Sequence, residues 1–209
     1  MRFLLIILSV SFTILQSCNN SNNVDEKKEA IKDDKEKFAN TDMKKDALFA
    51  VNAADEEILK IKLGELAQTY GTTPGIKQIG KMMSDDHVQL NKELSLVAWQ
   101  NKITIPAFLS DELKKKYTQL QKKDGSAFDE EYIKIMIEDH QNDLQEFNEE
   151  VNNGANEDIK AWAKKVIPVL THHLQILDSV SNKMNDDKKK GAPQHPEKLI
   201  SHSVHNFKN

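Results

Sequence analysis

The sequence predicts an all-α protein built as an antiparallel four-helix bundle. Apolar residues recur at three- and four-residue spacing along four long segments, and no segment alternates apolar and polar residues as a strand does. Glycine and proline stand almost entirely between these segments, where they mark turns. Two of the connections are short, so we expect the helices that they join to be antiparallel neighbours.

The first two helices are predicted over residues 43–70 and 74–101. Gly71 ends the first, and a capping threonine precedes Pro74, which suits the first turn of the second helix. The core-facing stripe of the second helix is predicted to contain Ile76, Ile79, Met83, Leu90, Leu94 and Val97.

A crossover of about 24 residues separates this pair from the next and contains a short helix over residues 110–122. Ser126 opens the third long helix, with Asp129 as the acid of a capping box. Gly154 follows its end, and Asn156 can cap the fourth. Two antiparallel pairs joined by a long crossover indicate a ferritin-like bundle, with the domain expected over residues 43–185.

The first 17 residues are predicted to be a lipoprotein signal peptide. Arg2 precedes an apolar run that is shorter than the roughly 20 residues a membrane span needs, and the run ends in LQSC. Cys18 is the only cysteine, so no intramolecular disulfide can form, and it stands where lipidation would occur. We expect a chain anchored by lipid to the cell envelope, at the outer membrane and facing the periplasm.

Composition predicts flexible segments on both sides of the bundle. Residues 18–42 are polar and charged and indicate a tether with transient helix, and residues 186–209 indicate a flexible tail. The net charge is −4 with no basic stripe, which excludes the usual footprint for nucleic acid.

A short motif, M-x-[DE]-D-H, occurs at residues 83–87 and again at residues 136–140. His87 and His140 both fall on the apolar stripes of their helices, and His173 does so on the fourth helix between Leu170 and Leu177. Counted from the turns, all three lie near mid-bundle. The sequence therefore predicts a polar layer across the core.

Several acids could complete a metal site in this layer. Asp55 of the first helix and Asp143 of the third are the candidate carboxylate ligands beside His87, His140 and His173, with Asp86 and Asp139 as acids that would orient the imidazoles. Glu56 and Glu57 are predicted to turn outward. Zinc, copper or iron could bind such a set, but histidines hydrogen-bonded to acids without any metal are an equal alternative. The Glu-x-x-His pattern of carboxylate-bridged di-iron bundles is absent.

Three segments carry a resemblance to a known family: KLGELAQTYGTTPGIKQIGKMMSDDH, FDEEYIKIMIEDH and IKAWAKKVIPVLTHHL. Over about residues 45–182 the chain resembles the bacterial envelope family known as domain of unknown function 4142, whose members are assigned a ferritin-like bundle and often described as outer membrane proteins. The resemblance implies that the family's histidines fall at His87, His140 and His173. It implies no biochemical role.

Two functions remain open from the sequence. The first is a non-catalytic interaction or stress-related module with an unidentified protein partner, favoured because the di-iron ligands are missing. The second is a metal-binding bundle for storage, scavenging or oxidant handling. No nucleophile triad, phosphate loop or paired-cysteine motif points to an enzyme.

Overall fold

The computed structural model describes residues 24–191, and this part of the chain is all α-helical, with no strand. Its six helices are α1 (Glu26–Lys37), α2 (Met43–Tyr70), α3 (Pro74–Gln100), α4 (Asp111–Gln121), α5 (Gly125–Asn153) and α6 (Glu157–Lys190).

Side-chain caps begin several helices where the sequence predicts them. Thr73, Ser110 and Asn156 each accept a hydrogen bond from the backbone N–H three residues later, at the starts of α3, α4 and α6. Asp129, predicted as a capping-box acid, instead accepts hydrogen bonds from the N–H and hydroxyl of Thr72 in the α2–α3 turn. It therefore ties the start of α5 to the turn between α2 and α3.

The four long helices pack around a common core with every neighbour antiparallel. Helix α2 contacts α3 and α5, and α6 contacts the same two helices. One apolar cluster joins the C-terminal halves of α2 and α6 to the N-terminal halves of α3 and α5, and a second cluster joins the opposite halves. Helix α4 lies in the crossover and packs on α2 and α5.

A close approach between two glycines fixes how α2 crosses α3. A Cβ atom on Gly64 would lie 2.6 Å from the backbone oxygen of Gly80, and a Cβ on Gly80 would lie 2.6 Å from the backbone oxygen of Gly64. Only residues without a side chain allow this spacing of the two backbones. One turn further along α3, Ser84 accepts a hydrogen bond from the side chain of Gln68.

A polar layer separates the two apolar clusters. On α3 it lies between Met83 of one cluster and Leu90 of the other, and on α6 between Leu177 and Leu170. The three histidines of the layer, His87, His140 and His173, have no exposed surface. The polar layer predicted from the sequence is therefore present at mid-bundle.

Helix α1 falls within the segment predicted to be a flexible tether, but it packs against the bundle. Its Asp34 accepts hydrogen bonds from the backbone N–H of Thr104 at 3.0 and 3.1 Å, and Lys37 donates to the carbonyl oxygen of Lys102 at 2.7 Å. At its N-terminus, Glu26 accepts from the backbone N–H of Ala107. Charged side chains thus bind α1 to the backbone of the crossover.

Helix α6 continues past residue 186, where the flexible tail is predicted to begin, as far as Lys190, and Gly191 after it has a left-handed conformation. The predicted signal peptide, Cys18 and residues 192–209 lie outside the described residues. Within residues 24–191, no helix combines the length and the apolar character needed to cross a bilayer.

Candidate metal centre

Helices α3, α5 and α6 each contribute one histidine to a compact cluster. The centroids of the three rings form a triangle with sides of 5.3 Å each. Nε2 of His140 lies 3.4 Å from Nε2 of His87 and 3.2 Å from Nδ1 of His173. One ring nitrogen from each residue lies within 4.8 Å of the other two. We call these three residues the histidine triad.

The other nitrogen of each ring has its own partner outside the triad. Nδ1 of His140 donates to the carbonyl oxygen of Met136 at 2.8 Å. Nε2 of His173 lies 2.9 Å from a carboxylate oxygen of Asp86, and Nδ1 of His87 lies 2.7 Å from a carboxyl oxygen of Glu57. Hydrogen bonds of this kind fix ring orientation and tautomer in metal-binding histidines.

These outer partners decide which inward nitrogens carry lone pairs. A carbonyl oxygen can only accept, so Nδ1 of His140 carries the proton of the neutral ring and Nε2 has a lone pair. The same reasoning places the proton of neutral His173 on Nε2, toward Asp86, and a lone pair on Nδ1. These two inward nitrogens are 3.2 Å apart and need a cation, either a proton or a metal ion, between them.

Burial disfavours a proton charge on two of the three rings. It lowers the pKa of both His87 and His140 well below the ordinary value, and any positive charge on a neighbouring histidine and the ammonium group of Lys60 would each lower it further. The two rings therefore stay neutral at pH 7, which is the form that binds a metal ion.

Glu57 is the site residue that the sequence reasoning missed. It was predicted to turn outward, but it is 1% exposed and contacts His87, and burial raises the pKa of its carboxyl to about 8. The spacing of small residues in α2 could have predicted this position. Glu57 lies seven residues after buried Ala50 and seven before Gly64, so it is on the side of α2 that faces α3.

Lys60, one turn after Glu57, is completely buried beside the triad. Its Nζ lies 2.8 Å from a carboxylate oxygen of Asp143 and 3.5 Å from one of Glu56. Burial alone would lower the pKa of Lys60, but Asp143, Glu56 and Glu57 raise it above its ordinary value. Lys60 therefore remains an ammonium ion inside the protein.

The proposed carboxylate ligands have other partners. Asp55 is fully buried but accepts a hydrogen bond from the backbone N–H of Ser110 and pairs with Lys27, on the side of α2 that faces α1 and α4. Leu48, seven residues before Asp55 on the same side of α2, is 45% exposed. Asp143 pairs with Lys60 as described above.

The two acids proposed to orient the imidazoles differ in their placement. Asp86 does so, but for His173 on α6 and not for His87 beside it in the chain. Asp139 pairs with Lys116 of α4 at 2.7 Å. The structure therefore brings together the three histidines, Asp86 and Glu57, and it places Asp55 and Asp139 in other contacts.

Comparison with known proteins agrees with the resemblance seen in the sequence. A family model described as a domain of unknown function, DUF4142, matches residues 33–180, which is most of the chain. No curated protein and no solved structure matches the chain.

Proposed function

Since the chain belongs to the DUF4142 family, for which no function is established, we propose from its own side chains that it binds one transition-metal ion at the histidine triad. Zinc, copper and iron are the candidates because each accepts imidazole nitrogen as a ligand. The sequence favoured a non-catalytic interaction module, but the geometry of the triad favours the metal-binding alternative.

The spacing of the inward nitrogens carries the proposal. Zinc binds histidine nitrogen at 2.0–2.1 Å with tetrahedral geometry, so two ligating nitrogens of one ion lie about 3.3 Å apart. Two of the three separations in the triad are 3.2 and 3.4 Å, and the third is no more than 4.8 Å. A metal ion placed among the three nitrogens would accept the lone pairs that otherwise face one another.

The surroundings favour holding the ion over acting on a large substrate. Three protein ligands leave a fourth position open for water or another small molecule. All three histidines are fully buried, however, and apolar residues lie on both sides of the layer. The function that fits is storage or scavenging of a metal ion, or its reaction with a small oxidant.

Metal analysis of the full chain, purified in detergent without a histidine tag, tests this proposal. We would expose the protein to zinc, copper or iron(II), dialyse it, and measure bound metal by mass spectrometry beside a variant with His87, His140 and His173 all changed to Gln. His172→Gln is the matched control, because it removes a neighbouring histidine that is not part of the triad.

We expect one ion per chain in the wild type and in His172→Gln, and none in the folded triple variant. Absence of stoichiometric metal from the wild type with all three metals would refute the proposal. The histidines would then be a hydrogen-bonded layer that shares a proton, and the interaction module would become the better hypothesis.

For the whole molecule, we propose a ferritin-like bundle anchored through lipidated Cys18 to the outer membrane and facing the periplasm. The antiparallel packing of α2, α3, α5 and α6 with α4 in the crossover supports the bundle. The LQSC segment supports the anchor. Incorporation of labelled fatty acid in cells, lost in Cys18→Ala, is expected, and equal labelling of the variant would refute the anchor.

A further inference from the structure

Beside the histidine triad, a cluster of carboxyl groups surrounds one cation that belongs to the protein. Lys60 has no exposed surface, and its Nζ contacts Asp143 of α5 at 2.8 Å and Glu56 of α2 at 3.5 Å. Glu57, on the same side of α2 as Lys60, joins this cluster to the triad through His87. We call Lys60, Glu56, Glu57 and Asp143 the lysine cluster.

The acids of the lysine cluster are ligands of the type that divalent cations use. Helical bundles that hold two metal ions side by side bind them with carboxylates and histidines that project inward from neighbouring helices. In this chain an ammonium ion already lies between two of them, Asp143 and Glu56. A second metal ion would have to displace the side chain of Lys60, which has no exposed surface.

Solvent reaches the edge of the same cluster. A surface cavity of about 200 Å³ is lined by Glu56, Asp139, Asp143 and Glu146, together with Lys116. Two of its lining residues, Glu56 and Asp143, are the carboxylates that hold Lys60. A hydrated ion in this cavity would therefore meet the anions directly if the ammonium group were removed.

We propose that the ammonium group of Lys60 occupies the place of a second metal ion and so limits the protein to one ion per chain. The inference rests on the proposed metal site, and it makes Lys60 the residue that determines stoichiometry. Shortening Lys60 opens a position for a second divalent ion held by Asp143 and Glu56, with the first ion still on the histidines.

Zinc titration of the full chain followed by calorimetry and mass spectrometry tests the proposal. We expect one zinc ion in the wild type and two in Lys60→Ala. Adding Asp143→Asn to Lys60→Ala is expected to return the protein to one ion. Lys81→Ala, which removes an exposed lysine from its pair with Asp85, is the matched control and should keep one ion.

The outcomes separate this inference from the proposed function. A wild type that binds none of zinc, copper and iron refutes both. If it binds only copper or iron, the same titration is made with that ion and carries the same expectations. One ion in the wild type and one in a folded Lys60→Ala variant refutes the role of Lys60 alone. If Lys60→Ala does not fold, Lys60→Met keeps most of the packed stem and carries the same expectation. A second tightly bound zinc ion in the wild type itself also overturns the proposal.

Discussion

Glu57→Gln should raise the stability of the metal-free protein while it weakens metal binding. The substitution keeps the size of the side chain and an oxygen that can accept from Nδ1 of His87, which lies 2.7 Å away, but it removes the ionisable carboxyl. The two effects have opposite signs, so they distinguish a carboxyl that serves a metal site from one that serves the fold.

The gain in stability follows from the pKa of Glu57. Burial raises it from 4.5 to about 8, so the folded state binds a proton that the unfolded state has released. The contribution is fully favourable below pH 4.5 and is lost as the pH rises toward 8. By pH 7 the stability lost in this way amounts to about 3 kcal/mol, at 1.4 kcal/mol per unit of pKa. Glu57→Gln avoids this loss, so it should be more stable than the wild type by about that amount at pH 7 and by about 1 kcal/mol or less at pH 5.

The loss of metal affinity follows from the hydrogen bond to His87. Removing a carboxylate that orients a metal-binding histidine typically weakens binding about 10- to 100-fold, which corresponds to about 1.4–2.7 kcal/mol. We would measure zinc affinity by competition with a chelating dye, and stability by urea unfolding at pH 5 and pH 7 with a chelator present. Glu138→Gln, the same change at an exposed position, should alter neither quantity.

Two results would refute this reasoning. A metal-free Glu57→Gln protein that is less stable than the wild type at pH 7 would mean that Glu57 is ionised and needed by the fold. A zinc affinity within about threefold of the wild type would mean that Glu57 does not act on the bound ion.

Two further predictions concern the scaffold. Gly64→Ala should destabilise the protein by about 1–3 kcal/mol in urea unfolding, because the added Cβ would lie 2.6 Å from the backbone of Gly80. This loss should exceed the gain from the better helix propensity of alanine. An unchanged unfolding midpoint would mean that α2 and α3 can move apart at no cost in stability. Asp34→Ala should remove hydrogen-exchange protection from α1 and leave α2, α3, α5 and α6 protected, because Asp34 accepts hydrogen bonds from the backbone N–H of Thr104. If the amides of α1 stay as protected as in the wild type, Asp34 does not hold α1 in place.

The residues that sequence patterns placed correctly lie on helices with one buried face. Along α3 and α6 the apolar spacing is regular, and His87 and His173 fall on it between residues that are also buried. A single buried face leaves only one direction for a histidine on that stripe. The convergence of the triad was therefore accessible from spacing alone.

Helix α2 is different because it is buried on two sides. It packs on α3 and α5 with one side and on α1 and α4 with the other, so it carries no single apolar stripe. Asp55 was predicted to point to the layer but lies on the outer side, whereas Glu57 was predicted to point out but lies in the layer. When both sides of a helix are buried, the spacing of its apolar residues cannot show which of two polar residues faces the polar layer.

The packing of α1 on the rest of the protein escaped prediction for a related reason. The composition of α1 is polar, and hydropathy registers only the burial of apolar surface. The contacts that hold α1 are charged side chains on backbone N–H and carbonyl groups of the crossover, and these depend on positions far apart in the chain. A local pattern contains no information about them.

Docking of α1 sets a distance limit for the proposed membrane anchor. A free tether over residues 18–42 would let the bundle move roughly 85 Å from the lipid, at about 3.4 Å per extended residue. With α1 fixed to the crossover, only the seven residues from Cys18 to Val24 remain before the capping residue Asp25, a reach of roughly 25 Å. A lipid-anchored protein of this design would work close beside its membrane, and detachment of α1 would more than triple its range.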